Sequence, residues 1–323
     1  MLNTRLIAAP FFMTPDGSLN RLTVRADRLP MSDPLHSQFS LTAFQLVSRQ
    51  ALVTLLQANG HPSHNQLRPF LTHFDATQPR DLRILQIFAQ RFALVIRTAQ
   101  HYTPWQQGNA FQVALSQYWQ QMQTLVIAGG LSSHQFGIHL ACLLEEQLTG
   151  LSVICSPWGS VTALYGLAQT YGSPTDTLVL DFGATAIKRG IAHRFGNRVD
   201  MLTPLRVRDF SPDGLVRAPQ LLAILRHTRA ELPGPMSVAI SMAAYLDRGH
   251  PFDYHAGSYS RLHDDCDHLA STLDQQWLPE CGFTGLALLE HDSTAAALAF
   301  QFPFPAMMVT LGTGLGSAPC PMV

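Results

Sequence analysis

The sequence predicts an α/β protein of two lobes, and three observations lead there. From Thr124 onward, strand-length apolar runs alternate with helix-length amphipathic segments, the pattern of mainly parallel sheets joined by crossover helices. Upstream, residues 39 to 122 carry helical periodicity alone, apolar residues recurring at three and four. The chain has 323 residues, 46% hydrophobic and 13% charged, enough for two cores, and its organisation changes near residue 175. The expected division is a lobe over residues 1–172 and a second over 176–323.

The elements follow in order. Leu6 to Phe12 reads as a strand. Helices are expected over Phe39–Asn59, with Ser40 and Thr42 as caps, and over Asn65–Phe74, Asp81–Gln100 and Asn109–Gln123. A strand Leu125–Ala128, a helix Gln135–Leu148, a strand Leu151–Cys155 and a helix Ser160–Tyr171 complete the first half, and Tyr171-Gly-Ser-Pro-Thr175 is the linker. The second half opens on a hairpin, strand Thr177–Leu180 with a return from Ala186. Helix Pro219–Glu231, strand Ser237–Ser241, a helix around Tyr259–Trp277, strand Gly285–Glu290, helix Ser293–Phe300 and strand Ala306–Leu311 follow.

Composition excludes several classes. The formal net charge is −1 and no basic run or basic patch interleaved with aromatics occurs, so nucleic acid is not an expected partner. No apolar stretch reaches about 18 residues and the first ten residues lack a signal-peptide pattern, so a cytoplasmic protein without a membrane segment is expected. Five scattered cysteines fit reduced thiols better than a disulfide framework or a zinc site.

The chain has a single lysine, Lys188, and it lies in Leu178-Val-Leu-Asp-Phe-Gly-Ala-Thr-Ala-Ile-Lys188. A strand delivering Asp181 into a turn at Gly183 suits a phosphate site: amides approach an anion, Asp181 holds a hydrated divalent cation, and Thr185 and Lys188 offer a hydroxyl and a point charge. An ordinary β-hairpin is the competing reading. Val309-Thr-Leu-Gly-Thr-Gly-Leu-Gly316 is a strand running into a loop whose Gly312, Thr313, Gly314 and Gly316 could cradle a second phosphate, or simply turn. In Leu288-Leu-Glu-His-Asp-Ser-Thr-Ala295 a strand ends in acidic residues before an alanine-rich helix, with Asp292 either functional or an N-cap. In Leu125-Val-Ile-Ala-Gly-Gly-Leu-Ser132, Gly129 and Gly130 would admit a flat ring or form a strand-to-helix turn.

Together these segments resemble the actin, hexokinase and Hsp70 ATPase superfamily, most closely its ROK branch of sugar kinases and regulators. Asp181-Phe-Gly-Ala-Thr185 is similar to the first phosphate motif of that family and Leu311-Gly-Thr-Gly-Leu-Gly316 to its second. Ile127-Ala-Gly-Gly-Leu-Ser132 resembles the adenosine motif, Pro157 to Ala168 the closing helix, and Glu290-His-Asp292 the Glu-Asn-Asp segment whose aspartate is the catalytic base. The motif order is rotated, with the helical, adenosine and closing segments first, so a circular permutant is expected in which residues 1–172 correspond to the family's C-terminal half. Residues 306 to 311 and 6 to 12 should then share a sheet, residues 1 and 323 should be neighbours, and Ser317 to Val323 are too few for a further strand.

The resemblance implies two actin-like, ribonuclease H-like lobes around a central cleft with a helical insert. It further implies ATP and Mg²⁺ as cofactors: adenine near Gly129, Gly130 and Ser132, phosphates near Gly183, Thr185, Lys188 and Gly312 to Gly316, Mg²⁺ on Asp181 through water. Asp292 would be the base in phosphoryl transfer to a sugar-like hydroxyl. A noncatalytic nucleotide sensor or an ATPase of the same superfamily is the alternative. The family's cysteine-rich zinc motif and its Glu-x-Gly-His have no counterpart in residues 1–123, so a hexose specificity is not implied. Asp247, Asp253, His255 and His291 are the acceptor-binding candidates, and the helical region 39–123 is open to a homodimer interface or a lid.

Overall fold

The computed structural model describes residues 13–61, 67–170, 175–194, 198–254 and 256–323. In chain order the strands are β1 (Thr23–Arg25), β2 (Ser40–Thr42), β3 (Thr124–Ala128), β4 (Ser152–Cys155), β5 (Thr177–Phe182), β6 (Ala186–Ala192), β7 (Val199–Arg206), β8 (Ser237–Met242), β9 (Leu246–Asp247), β10 (His250–Pro251), β11 (Gly285–His291), β12 (Ala306–Leu311) and β13 (Leu315–Pro319). The helices are α1 (Ala43–Val47), α2 (Arg49–Ala58), α3 (Leu67–His73), α4 (Pro79–Gln100), α5 (Thr103–Gln106), α6 (Ala110–Gln121), α7 (His134–Gln147), α8 (Thr162–Thr170), α9 (Val207–Phe210), α10 (Ala218–Ala230), α11 (Leu269–Thr272), α12 (Leu278–Glu280) and α13 (Asp292–Ala297). No helix among the described residues is long and apolar enough to cross a membrane.

The chain forms two compact units. A helix-rich unit joins Asp16–Ser160 to Phe302–Val323, and a five-stranded unit is built on Val161–Gln301. The division therefore runs at residues 160 and 301 rather than at 172–176. The reason is strand pairing: β12 hydrogen-bonds in parallel to β3, which carries the last residues into the helix-rich unit.

In the five-stranded unit the sheet order is β11-β8-β5-β6-β7, with β5, β8 and β11 parallel and β6 antiparallel to both neighbours. Counted from β5, this is the 3-2-1-4-5 order of a ribonuclease H-like lobe. Side chains alternate across the pleat. Leu178, Leu180, Phe182, Ile187, Val238, Ile240 and Met242 enter one apolar core with Leu221, Ile224 and Leu225 of α10. α8 and α13 pack so closely that a Cβ on Gly166 would stand 1.8 Å from the Ala295 carbonyl oxygen. Buried Arg189 donates to Thr203 O at 3.0 and 2.6 Å, to Thr228 Oγ1 at 3.2 Å and to Glu231 Oε2 at 2.9 Å, tying β7 to α10.

The helix-rich unit has sheet order β13-β12-β3-β4, with β12, β3 and β4 parallel and β13 antiparallel. This repeats positions 2-1-4-5 of the other sheet, yet positions 1 and 2 come from the end of the chain and positions 4 and 5 from its middle: the circularly permuted order. β13 corrects the expectation that residues after 316 cannot supply a strand, since the return begins at Leu315. The strand expected over Leu6–Phe12 and residue 1 lie outside the described residues, as does most of the linker Tyr171–Thr175.

Two expected helices are broken. Phe39–Asn59 divides into β2, α1 and α2 because Thr42 forms a capping box with Gln45, and Ser48, extended at ψ 170°, caps a second start at Arg49 by accepting from the Ala51 amide. Around Tyr259–Trp277 the chain makes a 3₁₀ turn, α11 and a π-helical turn at Leu273–Trp277 instead of one helix. The long α4 forms as expected, with Pro79 in its first turn, and its buried Arg91 makes a bidentate pair with Asp33 at 2.8 Å and 2.8 Å.

Candidate functional site

At the carboxyl ends of β5, β8 and β11, register places Lys188 opposite Asp181, Asp181 opposite Ser241, and Ser241 opposite Glu290. Neighbours in a register row share a face of the sheet, so four polar side chains run across four strands. Lys188 Nζ donates to Asp181 Oδ2 at 2.6 Å, and Ser241 Oγ to Asp181 Oδ1 at 2.8 Å. Asp181 is 3% exposed, and these two donors replace the hydration its charge has lost. Lys188, expected as a phosphate contact, has its ammonium on Asp181.

Glu290 ends the row on the edge strand, and its carboxyl makes no hydrogen bond or ion pair among the described residues. Its partly buried carboxyl is pushed up to about 7 by loss of hydration. A carboxyl titrating near neutrality can both give and take a proton at physiological pH. Glu290 lies within the Glu290-His-Asp292 segment singled out in the sequence, which gave a role to Asp292 alone; its alignment with Asp181 is visible in register only.

Asp292 opens α13. Its Oδ1 accepts from the Ser293 amide at 2.6 Å and the Ser293 hydroxyl at 3.1 Å, while Oδ2 accepts no hydrogen bond among the described residues. His291 Nε2 stands 3.3 Å from the same Oδ1. The His291 ring is 9% exposed and stacks on Tyr245, centroids 4.8 Å apart and planes at 13°, and Tyr245 meets Tyr254 edge-on at 5.3 Å. Burial lowers the imidazole's proton affinity, with Asp292 opposing, so the ring is neutral at physiological pH. The buried Tyr259 hydroxyl donates to Gly183 O at 2.9 Å, and burial first, then the charges of Asp181 and Asp292, hold its proton well above the usual phenol range.

The β5–β6 turn differs in detail from the expectation. The Gly183 amide is engaged inside the turn, with Asp181 O at 3.0 Å and Ala186 O at 3.2 Å. The amides of Ala184 and Thr185, and the exposed Thr185 hydroxyl, are the donors left open among the described residues. Tyr259 and Ser258 hold the Gly183 and Ala184 carbonyls, the latter at 3.1 Å. The turn thus has its acceptors committed and two adjacent amides open, a combination suited to an anion.

The second glycine turn is similar in the helix-rich unit. Gly312 N donates to Gly314 O at 3.0 Å, the Arg49 amide to Gly312 O at 3.0 Å, and Asn20 brackets Leu315 through both its amide and its carbonyl at 2.8 Å. The amides of Thr313 and Gly314 stay open among the described residues. Gly316 belongs to β13, opposite Thr310, rather than to the loop. Gly129 has φ +99° and a Cβ there would stand 2.3 Å from Leu311 O, so the close Leu311 backbone by itself requires a glycine here. Ser132 is buried and its hydroxyl donates to Gly129 O at 3.1 Å, while Gly130 faces open space.

Of the acceptor candidates, Asp247 is exposed on β9 and Asp253 lies 3.4 Å from His263 Nε2; His255 is outside the described residues. No group of three or more metal-ligating side chains occurs among the described residues. Asp181 fits a divalent cation through water instead, because one hydrogen bond to each oxygen leaves a lone pair on each for a metal-bound water.

No protein-family model matches the chain, and no curated protein matches it in sequence. Among solved structures it is similar to the type II variant of the Aquifex aeolicus Ppx/GppA phosphatase, with 10% identity and a TM-score of 0.30 over 47% of this chain and 51% of that one. It is also similar to a crystal structure of the Aquifex aeolicus member of the Ppx/GppA family, with 12% identity and a TM-score of 0.29 over 47% of this chain and 49% of that one. The chain thus matches about half the length of each. The α/β, ribonuclease H-like architecture rests on the strand order and register described above.

Proposed function

We propose that the protein transfers a phosphoryl group from ATP to a hydroxyl of a sugar or sugar-like small molecule in the cytoplasm, where its five free thiols would persist. The observation that carries this reading is the row Lys188–Asp181–Ser241 beside a turn with two open amides, with Asp292, whose Oδ2 is unengaged, following directly on the edge strand β11 of the same sheet. The Ala184 and Thr185 amides bind phosphate oxygens. Asp181, oriented by Lys188 and Ser241, would hold Mg²⁺ through water. Bound Mg²⁺ supplies charge neutralisation on the phosphates. Asp292 Oδ2 receives the acceptor hydroxyl's proton as that oxygen attacks in line.

Glu290 favours a second reading, hydrolysis of ATP with Glu290 as the base on water, because it is a carboxyl in the same row that titrates near neutrality. ADP release from MgATP with and without a panel of sugars and polyols separates the two. Release that requires an acceptor supports transfer, and release in its absence that is lost in Glu290→Gln supports hydrolysis.

A further inference from the structure

Most cations of the five-stranded unit already have partners. Arg189, Arg198, Arg217, Arg226 and Arg261 each meet a carboxylate, and Lys188 meets Asp181. Arg206 is different: it is exposed, and its side chain makes no hydrogen bond or ion pair among the described residues. It occupies the N-cap position of α9, yet its side chain makes no cap hydrogen bond, since a guanidinium has no acceptor to offer the helix amides.

The sheet fixes where this arginine stands. Leu205 pairs with Ile187 and packs into the apolar core shared with α10, so the next residue, Arg206, falls on the opposite face of the sheet. That face carries Asp181 and Lys188, and Arg206 is in register with Ala186, the first residue after the β5–β6 turn. The peptide that follows Arg206 is tied to the turn itself, the Val207 amide donating to Thr185 O at 3.2 Å. Arg206 is thereby held one strand from the open amides of Ala184 and Thr185, a spacing of about 4.8 Å that an extended arginine side chain exceeds. An anion on those amides would meet dipoles but no charge from Lys188, whose ammonium is on Asp181 at 2.6 Å.

We infer that Arg206 binds the phosphoryl group held by the β5–β6 turn, its guanidinium supplying the positive charge that Lys188 gives to Asp181. Two adjacent amides and a planar fork approach a phosphate from two sides, and the fork can engage two of its oxygens at once, which an ammonium cannot. That this group is the terminal phosphate of a nucleotide rests on the proposed transfer; the geometry itself asks for a phosphate-like anion.

Calorimetric titration of the whole protein with the β,γ-imido analogue of ATP plus Mg²⁺, and separately with inorganic phosphate, tests this. Arg206→Gln should weaken the analogue by about tenfold or more, as for lost hydrogen bonds between charged groups, and Arg206→Lys should recover only part of it. Arg226→Gln, which removes an exposed cation from α10 on the other face, should leave the affinity within about twofold. Because Arg206 is exposed and unpaired, denaturant titration of Arg206→Gln should match the wild type. An analogue affinity unchanged in Arg206→Gln, an equal loss in Arg226→Gln, or a wild type that binds neither probe overturns the inference. If phosphate binding depends on Arg206 while no acceptor is turned over, the transfer reading falls and the role of Arg206 stands.

Discussion

The two glycine hairpins, β5–β6 and β12–β13, occupy the same place in their sheets: a central strand, an antiparallel return, and a parallel neighbour on the other side. The equivalent register rows differ completely in chemistry. In the five-stranded unit the row reads Lys188, Asp181, Ser241, Glu290; in the helix-rich unit it reads Gly316, Thr310, Ala128. Both turns leave two amides open, Ala184 and Thr185 in one, Thr313 and Gly314 in the other. A shared backbone thus opens a pair of amides twice, and charged side chains line the register row in one copy alone.

That contrast can be broken by substitution. Asp292→Asn keeps size and removes the basic oxygen, so acceptor-dependent turnover should fall by about 10²–10⁴-fold with nucleotide affinity retained, read by coupled ADP release and calorimetry. Asp181→Asn should reduce turnover by at least about 10²-fold, whereas Thr310→Ser in the equivalent row should leave it within about twofold, a change below 0.5 kcal/mol. Equal effects at the two positions would erase the distinction between the rows.

Next in size is a contrast between neighbouring glycines. Gly129→Ala forces a side chain into backbone at φ +99° and against Leu311, and should destabilise the helix-rich unit by about 2–4 kcal/mol in denaturant titration. Gly130→Ala meets no atom within 4 Å and should be close to neutral.

Glu290 gives a pH signature. Its folded-state value, about 7, lies above the ordinary 4.5, so its contribution to stability is complete below about 4.5 and is lost as pH rises through 7. Wild-type stability should decline over that window relative to Glu290→Gln by on the order of 1–2 kcal/mol, since each unit is worth about 1.4 kcal/mol and a partly exposed group is screened. A difference between the two proteins that does not vary with pH would contradict the burial of Glu290. Smallest of all, Thr313→Ala should raise the nucleotide KM by a few-fold at most, because the open donors of that turn are backbone amides.

How far the sequence spoke for itself depended on the range of the interaction. Strand and helix alternation after Thr124 is local periodicity, and β3, β4, β5, β8, β11 and β12 form close to where the pattern puts them. The helix over 39–59 failed because Thr42 and Ser48 act as caps within an apolar pattern that runs straight through them. β13 was missed because glycines at 312, 314 and 316 read as loop, although Gly316 pairs with Thr310. Asp181, Lys188 and Asp292 were visible as motif residues. Ser241 was not, and Glu290 stood in a quoted motif without a role, since only lateral register puts Ser241 beside Asp181 and Glu290 beside Ser241. Nor could the sequence show that Leu311 crowds Gly129 and that the Ser132 hydroxyl donates within its own turn.

The most direct test of the account is MgATP turnover against sugars and polyols, with a control lacking acceptor and Asp292→Asn in parallel. The account expects ADP release that depends on an acceptor and disappears in Asp292→Asn. Release independent of any acceptor, or unchanged in Asp292→Asn, would contradict it.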